Sequence, residues 1–189
     1  MGLDTEKLSE SLPHEDRLPH TRFSTLVSQG FTRITSIISW IWLALVVVIV
    51  VNVTARYLFG EGRVEFEELQ WHLYAIGFLV AMSTCMDSDS HIRVDVFHAR
   101  LSLRWQAWIE LYGLLLFFLP FVAAVFVFSM PFVAYSFALS EISDAPGGLP
   151  FRWAIKSFLT FSMVLLFVAG ISRLSRVTSF LFERPLSVR

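Results

Sequence analysis

The chain has 189 residues, of which 55% are hydrophobic, 16% are charged and 19 are Phe. That apolar content exceeds what soluble domains carry and favours a membrane class. Lys plus Arg (15) nearly balance Asp plus Glu (16), leaving a net charge of -1 that argues against a nucleic-acid surface, and the single Cys85 excludes an internal disulfide or a cysteine metal cluster.

Residues 1–20, with Pro13, Pro19 and mixed charge, are expected to form a mobile cytoplasmic tail. About 33 residues precede the first apolar run and no A-x-A-type site follows it, so that run is expected to stay attached and not to act as a cleaved signal. Phe23, Leu26, Val27, Gly30, Phe31 and Ile34 share one helical face, with Arg22, Ser28, Gln29 and Arg33 on the other. This pattern predicts an amphipathic helix lying flat at the interface before the chain enters the membrane.

Four apolar segments follow, and a spanning helix needs about 20 such residues. From Ile34 to Ala55 there is no charge, and thirteen Ile, Leu or Val residues lie between Ile34 and Val53. At roughly -0.3 to -0.6 kcal/mol each on the insertion scale, they outweigh the lone Asn52. The second charge-free stretch, Leu69 to Met86, has His72 as its only titratable side chain of the His, acid or base type. Leu111 to Ser140 gives thirty charge-free residues, too long to cross upright, with Pro120 and Pro131 as expected bending points. The fourth segment, from Ala154 to about Ser172, requires Lys156 to snorkel outward. The expected fold is an all-α integral membrane domain over 21–182, with helices at about 34–55, 68–87, 105–140 and 153–174 and a tail at 183–189.

Orientation follows from the basic residues. Lys7, Arg17, Arg22, Arg33, Arg93, Arg100, Arg104, Arg173, Arg176, Arg184 and Arg189 fall on the side of the termini, against Arg56, Arg63, Arg152 and Lys156 on the other. Eleven against four places both termini inside, in the bacterial inner membrane.

No motif reads as an active site. Glu65, Glu67 and Glu68 sit at the start of the second helix, where carboxylates complement the helix dipole. Glu68 borders the apolar run, and Arg56 ends the first helix a short hairpin away, so these two are expected to pair. Glu68 and His72, spaced i, i+4, are too few to build a metal site. A haem bundle would need two core histidines, and His91 and His98 lie in the inner connection. The Asp87-Ser88-Asp89-Ser90-His91 run lacks the Gly and the closing Glu of a calcium loop and reads as a solvated turn. Asn52-Val53-Thr54 matches a glycosylation sequon but lies in a membrane segment. Gly77, Ala81 and Cys85 form a small-residue stripe that marks an interface within or between subunits. Asp144 to Pro150 is a Pro/Gly turn on the outer face, and its Asp144, Gly147 and Gly148 are candidate contacts for a periplasmic protein.

Together, Asn52-x-x-x-Arg56-Tyr57-x-Phe59, Glu67-Glu68-Leu69, Gly77 and His91-Ile92-Arg93-Val94-Asp95 resemble the small, DctQ-like membrane subunit of tripartite ATP-independent periplasmic (TRAP) transporters. The likeness is best over residues 34–110. The later Pro146-to-Pro150 turn with Arg152-Trp153 is similar to a branch often labelled for mannitol or chloroaromatic compounds, a label that assigns no substrate. Phe66, where many members carry a nearby Trp, and the acidic residues at 87–89 depart from the pattern. The resemblance implies a four-helix scaffold beside a large membrane subunit, which carries the sodium sites, and a periplasmic binding protein that delivers an organic acid. It implies no cofactor in this chain, and subunit-interface or structural roles for Asn52, Arg56, Glu67, Glu68, Gly77, Ala81, His91 and Asp95. A small multidrug-type exporter would need a membrane-embedded carboxylate, which the first helix lacks, and a b-type cytochrome subunit would need the missing histidines.

Overall fold

The computed structural model describes residues 19, 21–60, 62–88 and 101–182, and every regular element among them is helical. Four helices are long and apolar enough to cross a membrane: α1 (Arg22–Phe59), α2 (Val64–Asp87), α3 (Leu103–Ala138) and α4 (Arg152–Phe182).

Helix α1 starts at a reciprocal cap in which the Ser24 amide donates to Thr21 Oγ1 (3.1 Å) and the Thr21 amide donates to Ser24 Oγ (3.0 Å). It runs 38 residues without a break and ends on Gly60, whose φ of 69° suits the left-handed cap. At 1.5 Å per residue this is about 57 Å, well beyond a hydrocarbon core of about 30 Å. The expected flat helix is therefore not a separate element: its residues are the first turns of α1. The face is also different from the expected one. Phe23 and Leu26 point outward, whereas Ser24 and Phe31 are buried and Ser28 faces the bundle. Less exposed positions recur every three or four residues along α1, at Ser24, Ser28, Phe31, Thr35, Ile38, Ile41, Leu45, Val48 and Asn52. That spacing is the seam of a left-handed helix pair.

Successive helices run antiparallel. Thr35 Oγ1 meets Thr84 Oγ1 at 2.9 Å between α1 and α2, and Thr21 Oγ1 meets Ser175 Oγ at 3.0 Å where α1 begins and α4 ends. Helix α4 packs against all three others, while α1 lies along α2 and one edge of α4. This explains why the most apolar stretch of α1 has no buried residue whereas a third of the corresponding stretch of α4 is buried. The sequence of α4 supplies the closeness: a Cβ on Gly170 would fall 2.7 Å from the Phe118 ring of α3.

Helix α3 changes winding midway. Gly113–Phe118 forms a π segment, and the Leu119 amide donates to the Leu114 carbonyl five residues back. Pro120, immediately after, has no amide to donate, and in an α-helix its ring would crowd the carbonyl four residues before it. The wider turn relieves that crowding. Pro131 is carried inside the following helical stretch, Leu119–Ala138. The helix then stops in a left-handed Ser140 (φ 46°), with Glu141 and Ser140 amides returning to the Ser136 and Phe137 carbonyls.

Candidate functional site

Charged side chains gather at the two ends of the bundle. At the end shared by the start of α1 and the end of α4, Asp87 closes α2 and is 6% exposed. Ser28 of α1 donates to its Oδ2 (2.6 Å) and Ser172 of α4 to its Oδ1 (3.1 Å). Arg176 of α4, also buried, reaches the same carboxylate (3.4 Å), the Asp87 carbonyl (3.2 Å) and Ser28 Oγ (2.8 Å). One turn earlier on α4, buried Arg173 forks onto Glu110 of α3, Nε to one oxygen and Nη2 to the other (3.2 Å). Three helices are thereby tied to α4.

These contacts correct two expectations. Asp87 is not part of a solvated turn, and Arg173 and Arg176 are not tail charges, because α4 continues to Phe182 and carries both arginines into the bundle. Burying an ion costs several kcal/mol unless it is paired and hydrogen-bonded, which is what the serines and the opposite charges provide.

At the opposite end the partners also differ from expectation. Arg56 pairs with Glu67, not with Glu68, and both partners are about half exposed. Glu68, one residue on and turned about 100° around the helix, instead faces the connection between α3 and α4. It accepts from Ser143 Oγ and from the Leu149 amide (2.6 Å), gripping both limbs of that loop. His72 places Nδ1 at the Glu68 backbone carbonyl, so the carboxylate and the imidazole do not share a site. Across the loop, Lys156 pairs with Glu141 and lies 4.1 Å from the centre of the Phe132 ring, so it is paired as well as placed at the helix edge. That bond and the nearby Arg152 charge hold the Glu141 carboxyl below the usual carboxylate range.

The other residues singled out from the sequence divide clearly. Gly77 is buried because the Trp42 indole of α1 lies 2.9 Å from where its Cβ would stand, so at this level the small-residue stripe is an internal contact. Ala81 is half-buried, as is the free thiol of Cys85. Asn52 is buried on the α1 seam and its Oδ1 has no hydrogen-bond partner among the described residues. Asp144 is fully exposed, 3.6 Å from Arg152; Gly147 takes a left-handed φ of 77°; Gly148 is wedged against Ser143. His91 and Asp95 lie outside the described residues.

Sequence reasoning missed Ser28, Asp87, Glu110, Ser172, Arg173 and Arg176. One signal was present: two arginines three apart following Gly170 and Ser172, level with an acid at the end of α2 and another at the start of α3. Among the described residues no three His, Cys, Asp or Glu gather as for a metal ion. Each buried acid or base of the clusters is engaged by an opposite charge, an arrangement suited to clamping helices.

No curated protein matches the chain. The family model for the DctQ component of tripartite ATP-independent periplasmic transporters matches residues 45–179, from the middle of α1 to the end of α4, and so includes Glu68, Asp87, Arg173 and Arg176. The chain belongs to this family, and is a DctQ component: a small membrane component of TRAP transporters.

Proposed function

We propose that this chain is the scaffold subunit of a TRAP-type secondary transporter, supporting a large permease subunit in sodium-driven uptake of an organic acid delivered by a periplasmic binding protein. One observation carries the reading. Asp, Glu, Lys and Arg are absent from Ile34–Ala55, Leu69–Met86, Leu111–Ser140 and 157–172, and the only imidazole in these segments is His72, near the start of the second. A transport site for an anion or a cation needs polar groups near the middle of the membrane. The chain is built instead to present long apolar faces, such as Ile37, Trp40, Val47 and Val50 on α1 and Phe117, Phe121 and Phe128 on α3.

The same reading puts both termini on the cytoplasmic side of the bacterial inner membrane. Setting aside buried Arg173 and Arg176, nine basic residues remain on the terminal side against four. An exporter reading gains nothing from Asp87, since Arg176, Ser28 and Ser172 occupy its carboxylate. Copurification from native membranes tests the proposal: a tagged chain should carry a large permease with it. Recovery of the chain alone in mild detergent, from cells in which sodium-driven uptake is active, would contradict it.

A further inference from the structure

Among the described residues, unpaired positive charge is confined to one end of the bundle. At the loop end Arg56 is bonded to Glu67, Lys156 to Glu141, and Arg152 lies against Glu141 and Asp144, while Arg63 is engaged as well. At the terminal end the two described carboxylates, Asp87 and Glu110, are taken by Arg176 and Arg173. Arg22, Arg33 and Arg104 remain there, exposed and without a hydrogen-bonding or charged partner among the described residues.

One of these three arginines lies in a groove. Arg104, Trp105, Trp108 and Tyr112 share one stripe of α3 by their three- and four-residue spacing, while Gln106, Ala107 and Leu114 are buried in the bundle. With Ser102 they line a surface groove of about 460 Å³. Its aromatic floor is held in place, because Trp108 stacks on Tyr112 with ring centroids 5.8 Å apart and meets Phe182 of α4 edge-on, also at 5.8 Å. The Ser102 hydroxyl makes no capping bond to the helix and is left to donate elsewhere. Glu110 is the last charge before the run Leu111–Ser140, so Tyr112 stands at the edge of the hydrocarbon. Arg104 precedes it by about 12 Å of helix, which puts the guanidinium at the level of the lipid phosphates. Trp and Tyr rings favour the layer between.

We propose that this groove binds an anionic glycerophospholipid of the leaflet at the terminal end. Arg104 forks onto two oxygens of the phosphodiester, Ser102 donates a further hydrogen bond, and the glycerol and first methylenes lie along Trp105, Trp108 and Tyr112. The groove's own chemistry selects this ligand. A single unpaired cation matches a single phosphodiester charge, and neither described carboxylate at this end is free to compete for it. A soluble phosphate would meet Arg104 but gain nothing from the rings. A zwitterionic lipid brings an ammonium as well, for which no described carboxylate at this end is available.

The test titrates the full chain in mild detergent with phosphatidylglycerol, or with phosphatidylcholine of the same acyl chains, and reads binding by native mass spectrometry and the thermal midpoint. Phosphatidylglycerol should bind about fivefold more tightly, the gain expected from one arginine at a lipid phosphate, and should raise the midpoint. Arg104→Ala should abolish that preference, Arg104→Lys, which keeps the charge, should retain part of it, and Arg33→Ala should leave it intact. Trp105→Ala should weaken both lipids. Since Arg104 has no partner among the described residues, Arg104→Ala should melt like the unmodified chain in lipid-free detergent, which separates lost binding from lost folding. Equal binding of the two lipids, or equal losses in Arg104→Ala and Arg33→Ala, overturns the site in favour of diffuse attraction to charge. Competition by water-soluble glycerol phosphate as effective as that by phosphatidylglycerol overturns the lipid in favour of a free phosphate. An Arg104-dependent preference seen in the chain alone but absent when the large subunit is bound overturns it in favour of a subunit contact. The measurements on the chain alone stand apart from the scaffold reading, which they neither require nor test.

Discussion

The two ends of this bundle use the same chemistry for different purposes. At the terminal end, Asp87, Arg173 and Arg176 are each less than a tenth exposed, and their contacts join α1, α2 and α3 to α4. At the loop end, Arg56 and Glu67 pair in the open, and Glu68 and Glu141 hold one short loop. Buried pairs fix which helices meet and in what register, because any other arrangement strands a charge. Half-exposed pairs are screened by water and salt and add little stability, but they can still fix the position of a surface feature.

Breaking the terminal cluster gives the largest expected effect. Asp87→Ala or Arg176→Ala alone leaves a buried charge unmatched, which costs about 3–5 kcal/mol. Unfolding in detergent by heat or denaturant should show each single loss, with Asp87→Ala/Arg176→Ala together losing far less than the two added. Additive losses would mean that the two residues act independently.

The contrast between the ends also explains what could be read in advance. Hydropathy alone places four spans, since lipid requires long apolar helices whose backbone is satisfied internally. Their ends were less legible. Ser28 and Arg33 look like the polar face of an interfacial helix, but α1 simply continues through them, and its serines turn inward to meet Asp87. Arg173 and Arg176 look like the basic flank of a span, because a count of charges carries no information about which of them have a partner on another helix. Gly77 shows the opposite case. Its small size was legible, and the structure adds only that Trp42 is what fills the space. At the loop end the order of charges invited pairing of Arg56 with Glu68, but one residue of helix rotation gives Arg56 to Glu67 and turns Glu68 to the loop. The left-handed Phe151 carries no sequence signal, as nothing in Pro150-Phe151-Arg152 marks that residue for such a backbone.

A smaller effect sharpens the comparison from the other side. Glu67→Ala or Arg56→Ala should change stability by about 0–1 kcal/mol, as for an exposed pair, in the same unfolding assay. A loss as large as that of Asp87→Ala would erase the distinction between the ends.

The smallest effect is one of pH. The Glu141 carboxyl lies below its ordinary range in the folded chain, chiefly through its bond from Lys156. A depressed carboxylate contributes stability that is fully present above the unfolded pKa and is lost as pH falls through the folded one. The thermal midpoints of the unmodified chain and Glu141→Gln should therefore differ slightly at neutral pH and converge in acid below the usual carboxylate range. A gap that widened on acidification would reverse the assigned sign.

On the scaffold reading proposed above, all of these effects concern a chain that holds and presents without itself carrying solute. The direct test is uptake of a panel of organic acids, including carboxylates and 2-oxo acids, into proteoliposomes under an inward sodium gradient. Vesicles holding the purified chain alone should stay at the background of empty vesicles, and uptake should appear only with the large subunit and loaded binding protein present. Sodium-driven accumulation of any of these acids by the chain alone would contradict the scaffold role.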